Sequence, residues 1–148
     1  MRPQIAGAQA QIQVNPTVSV QIELVVPFTT PELTRAALTT AERYSIGLNA
    51  AVRLIKVLVV PFPNELEYPA IAIPFLREQL GSFECALPVK AELYSAREEQ
   101  ATILRLTHAG SVVLIASKKR PWLTREERLA SALRKAGTRV VVTYPKSK

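Results

Sequence analysis

Aspartate is absent from this 148-residue chain; all twelve acidic residues are glutamate. A short carboxylate at a strand end is what commonly reaches a ribose hydroxyl or a magnesium ion in an α/β nucleotide site. None is available here. Histidine and cysteine occur once each, as His108 and Cys85. A Ser-His-Asp triad is therefore impossible, and a Glu-oriented version has no pattern to rest on. One His and one Cys also exclude a zinc site of the usual ligands, so no metal is expected. A lone cysteine excludes an internal disulfide, and Cys85 reads as a small buried hydrophobe. No apolar run approaches the ~18 residues of a membrane-crossing helix, so no membrane partner is expected. Met1-Arg2-Pro3-Gln4 opens a Gln/Ala stretch and not an apolar signal core, which makes the cytoplasm the expected location.

What is present is a globular composition, 48% hydrophobic and 21% charged, long enough for one domain with a real core. The net charge of +7 is uneven. From Ser117 to Lys148 there are ten Lys/Arg against two Glu, a net +8, and the preceding 116 residues carry a net −1. A solvated face explains such a basic third, and so does an anionic partner. Nucleic acid is one such partner, but a single Trp with scattered cations gives no aromatic platform and no recognised motif.

Met1 to Pro16 reads as a flexible arm, and residues 17–148 as one α/β domain. Val18, Val20, Ile22 and Leu24 alternate into a first strand that ends at Pro27. Thr30-Pro31-Glu32 predicts a helix start: hydroxyl cap, proline in the first turn, acid at the positive dipole end. Leu33, Ala37, Ala41, Tyr44 and Leu48 share its inner face. Val52 to Val60 is nearly continuous in Val, Leu and Ile, as in a parallel strand covered on both sides. A second helix is expected from Tyr68 to Leu80, kinked or delayed by Pro74. Ala86 to Tyr94 alternates around an internal proline and predicts an edge strand. Ser95 to Glu98 has capping-box spacing and predicts a helix to His108, with Ala101 and Leu104 inward and His108 at its C-terminus.

Val112 to Ala116 predicts a buried fourth strand. It breaks into Ser117-Lys118-Lys119-Arg120-Pro121-Trp122, and Thr124 with Glu127 three residues on predicts the next helix start. That helix turns Leu129, Ala132, Leu133 and Ala136 inward and stops at Gly137. Val140 to Val142 is the fifth strand. Five strands alternating with four helices predict an open parallel sheet with helices on both faces. Strand, loop and helix N-terminus is where open α/β proteins hold anions. Lys118, Lys119, Arg120 and Thr124 are therefore the candidate anion-binding residues.

The alternation, the length and the wording of Leu24-Val25-Val26-Pro27-Phe28-Thr29-Thr30-Pro31-Glu32 resemble the universal stress protein family, and so does the fourth strand with its loop. The resemblance covers about Val18 to Thr143. It implies the strand order 3-2-1-4-5, a switch point between strands one and four, and a homodimer formed through Val140, Val141 and Val142. Nucleotide-binding members carry an Asp after the first strand and a glycine loop after the fourth. Here Thr29 stands at the Asp position, Ala116 and Lys119 at the first two glycines, and Leu129 and Ala130 at the last pair, with Ser131 one residue late. Glycines there let the backbone approach phosphate closely. The resemblance thus points to a regulatory or binding domain outside the ATP-binding class, with no cofactor, leaning away from an enzyme. Across the implied switch point, Thr29 and Thr30 join the candidate anion site.

Overall fold

The structure, a computed structural model, describes residues 21–60, 78–79, 81–108 and 110–146. The N-terminal arm lies outside the described residues, and so does the helix expected from Tyr68 to Leu80, apart from residues 78 and 79. The described elements are β1 (Ile22–Pro27), α1 (Pro31–Tyr44), β2 (Ala50–Val59), β3 (Val89–Ala96), α2 (Glu99–Leu106), β4 (Val112–Ala116), α3 (Arg125–Lys135) and β5 (Arg139–Thr143).

The five strands form one sheet in the order β3-β2-β1-β4-β5, every pair parallel. This is the predicted fold class and strand order. It follows from strands that are apolar on both faces. In β4 all five residues are buried. Leu24, Val26, Val112, Leu114 and Ala116 pack under α1 with Leu33, Ala37 and Ala41. Val25, Val113, Ile115 and Ile55 pack on the opposite face with Ile103 of α2 and Leu129 and Leu133 of α3. The period-two alternation of side chains feeds two cores at once.

The starts of α1 and α3 are built as the sequence indicates. Thr30 Oγ1 accepts from the Leu33 amide at 3.1 Å, ahead of Pro31. Thr124 makes both halves of a capping box with Glu127. Gly47 (φ 79°) and Gly137 (φ 93°) turn the chain out of α1 and α3 through the left-handed region that a Cβ disfavours.

Several expectations are corrected. Tyr44 is the last residue of α1 and Leu48 lies beyond it; both are exposed, and Thr34 and Leu38 complete the buried face. The third strand starts at Val89, so Pro88 precedes it and interrupts nothing. The Pro88 carbonyl accepts from the Val52 amide at 2.8 Å. Ser95 caps no helix, because it is still paired in β3 opposite Leu58. The helix begins at Glu99, and its buried residues are Thr102 and Ile103, not Ala101. His108 falls two residues past its end. In α3, Ala130 replaces Ala136 on the inner face. Cys85 is only half-buried, beside the core under α1.

Candidate functional site

All five strands are parallel, so the segments after β1, β4 and β5 emerge at one edge of the sheet. The loop after β4 is closed at its base. Ser117, fully buried, donates its amide to the Thr143 carbonyl at 2.9 Å and so prolongs the ladder with β5. Its hydroxyl lies 2.6 Å from Thr124 Oγ1. Between these anchors every residue from Lys118 to Leu123 is exposed. A buried hydroxyl pair thus holds the two ends of a solvated basic loop.

Two recesses flank this loop. One, of about 410 Å³, is lined by Thr30, Leu33, Lys118, Arg120, Trp122 and Thr124 among others, with Arg125, Arg128 and the carboxylate of Glu126 at its wall. The other, of about 860 Å³, is lined by Lys118, Lys119 and Arg120 together with Arg35 of α1 and Lys146. Glu32 is its one lining carboxylate. Of the six predicted anion-site residues, five therefore line these recesses: Thr30, Lys118, Lys119, Arg120 and Thr124. Thr29 lines neither, and its amide donates to Thr34 Oγ1 at 3.1 Å. Arg35 and Lys146 were not legible as site residues, because only the sheet brings α1 and the segment after β5 beside the loop.

The helix ends themselves are largely occupied. The Glu127 amide is taken by Thr124 Oγ1 and the Thr124 amide by Glu127 Oε1. The Tyr144 hydroxyl donates to Glu127 Oε2 at 2.7 Å. These hydrogen bonds, the Thr124 amide first and Tyr144 second, hold the Glu127 carboxyl below its ordinary range and push the Tyr144 phenol up. Glu127 thus turns inward on its own helix cap, and the anion-attracting groups at this edge are the cationic side chains. Arg125 is paired with Glu99 at 2.9 Å.

A second polar cluster lies beyond the C-terminus of α2, on the sheet face that α2 and α3 cover. Arg53 of β2 grips both oxygens of Glu92 on β3, at 3.0 and 2.8 Å. It reaches Glu23 of β1 at 3.3 Å and the Leu106 carbonyl at 2.8 Å. Ser111 donates to Glu23 at 2.7 Å, Tyr94 to Glu92 at 2.6 Å, and the His108 ring stands 3.5 Å from Glu23. The hydrogen bond from Arg53 holds the Glu92 carboxyl below the usual range, and Glu92 in turn raises the Tyr94 phenol. The cluster borders a recess of about 780 Å³. Its cations and carboxylates satisfy one another across three strands, which is the chemistry of a clamp.

Val140, Val141 and Val142 form the centre of β5, at one end of the sheet order. Val140 is buried; Val141 and Val142 are half-buried, against opposite cores. Among the described residues no helix is long and apolar enough to cross a membrane, and no group of His, Cys, Asp or Glu has the makings of a metal site. No protein-family model matches the chain, and no curated protein matches it.

Proposed function

We propose that the chain is a regulatory binding domain of the universal stress type, outside the ATP-binding class, that holds a small anion or phosphorylated ligand over the loop after β4. The observation that carries this reading is the convergence of Lys118, Lys119, Arg120, Arg35 and Lys146 on one recess with a single lining carboxylate. Charge-assisted hydrogen bonds from such groups contribute about 1.5–3 kcal/mol each before ordering costs, enough for binding by two or three of them. The site lies where β1 and β4 are adjacent yet run on to different sides of the sheet, the switch point at which open α/β sheets bind ligands.

ATP is not the ligand in this reading. Ala116, at the first glycine position, is buried as the last residue of β4, and Lys119 puts a side chain where the second glycine would expose its amide. In this reading the domain acts as a homodimer through β5. Phosphate or sulfate should raise the melting temperature, and Lys118→Ala with Lys119→Ala should abolish the rise. Equal protection of both proteins would mean general salting and would remove the loop as a site. Micromolar affinity for ATP or ADP by calorimetry would contradict the assignment to the non-ATP class.

A further inference from the structure

We propose, building on the anion-binding reading, that the phosphorylated ligand of this edge is a single strand of nucleic acid, with a base stacked on Trp122. Three observations lead there. Lys118 and Arg120 line both recesses, so the cationic lining is continuous from Arg125 and Arg128 on one side to Arg35, Lys119 and Lys146 on the other. Seven cations, of which Arg125 is paired with Glu99, stand against Glu32 and Glu126; the six others exceed what a single phosphate can engage, and they match a chain of phosphates. In the middle of this lining stands an exposed aromatic. Trp122 is 63% exposed, and Arg120 lies over its ring at 6.0 Å from the centroid. A ring that open has surface left for a base, and a tryptophan beside an arginine is the pairing that single-strand binders use as a stacking platform.

An anionic bilayer would also attract cations and an exposed Trp122-Leu123 pair. The shape argues against it. The cations are spread over the linings of two recesses, of about 410 and 860 Å³, which a phosphate chain can follow from one to the other.

Trp122 is the only tryptophan in the chain, so its emission reads the platform directly. The full-length protein is titrated with an oligothymidylate of about 12 nucleotides, within the range covered by small single-strand sites. Pyrophosphate and phosphatidylserine vesicles are titrated in parallel. The expected result is saturable quenching by the oligonucleotide, none by pyrophosphate, and an affinity that falls steeply with salt. Followed by anisotropy of a labelled oligonucleotide, Trp122→Ala should weaken binding roughly tenfold or more, and Trp122→Phe should restore much of it. Unchanged affinity in Trp122→Ala overturns the stacking role. Pyrophosphate binding, read by calorimetry, without oligonucleotide binding overturns this inference and leaves the small-anion reading standing; binding of neither removes both. A blue shift with vesicles and no oligonucleotide quenching overturns it in favour of a membrane surface.

Discussion

Arg53 shows how one residue can order three strands. Its guanidinium meets Glu23, Glu92 and the Leu106 carbonyl, with only 19% of its side chain exposed. Removing it takes from Glu23 and Glu92 the guanidinium that both meet, leaving Glu92 only the exposed Lys90 ammonium at 3.9 Å. Arg53→Met should cost about 2–3 kcal/mol, below the figure for a fully buried pair because Glu23 keeps some solvent. Urea unfolding at neutral pH checks this, and a loss under 0.5 kcal/mol would mean that the clamp is ornamental. The pH dependence has a definite sign. The Glu92 carboxyl is lowered in the folded state, chiefly by the Arg53 hydrogen bond. Its stabilisation is fully present above the ordinary carboxylate value of about 4.3 and is lost as pH falls through the lowered one. Wild type should therefore lose stability steeply below about pH 4.5, and Arg53→Met should lose less over the same interval. Parallel losses would contradict the assignment of that linkage to this pair. Lys56 is a contrasting case: burial is the main cause lowering its ammonium, and its Nζ sits 5.2 Å from the Phe28 ring centroid.

At the scale of elements, the cap of α3 joins the fold to the site. Thr124 serves its own helix, the buried Ser117 hydroxyl and the base of the basic loop. Thr124→Ala should cost about 1–2 kcal/mol, the upper part of the range for a cap, because a buried hydroxyl loses its partner as well. Thr30→Ala, which removes one part-buried cap bond and orphans no buried hydroxyl, should cost about 1 kcal/mol or less. Denaturant unfolding of the two variants side by side tests the ordering, and the reverse order would contradict it. Both caps were legible in the sequence, and so were the doubly buried runs of β2 and β4, because local chemistry and period decide them. The third unit was misread for a physical reason. Ser95 and Glu98 have capping-box spacing, but pairing of Leu58 with Ser95 and Val59 with Ala96 keeps that segment in the sheet. The Arg53 cluster left no local signal, since its members sit singly on strands that otherwise read as apolar. For the same reason the loop cations are legible in the sequence, and Arg35 and Lys146 are not.

Among the described residues, the sheet has two unlike edges. β3 carries Lys90, its side chain 80% exposed, and Glu92, charges that discourage edge pairing. β5 offers Val140, Val141 and Val142 between Arg139 and Thr143. If a second copy pairs on this edge, Val141→Lys should yield a monomer by sedimentation, and an unchanged mass would exclude the edge as the interface. The basic edge lies at the C-terminal ends of the strands, formed by the loop after β4 with Arg35 and Lys146. Anion binding is proposed at that edge. Its most direct test is a backbone amide NMR titration of the full chain with pyrophosphate. Saturable shifts are expected, confined to Thr30, Arg35, Lys118 to Arg120, Trp122 to Thr124 and Lys146. Shifts centred on the Arg53 recess, or small linear shifts spread over every exposed lysine and arginine, would contradict it.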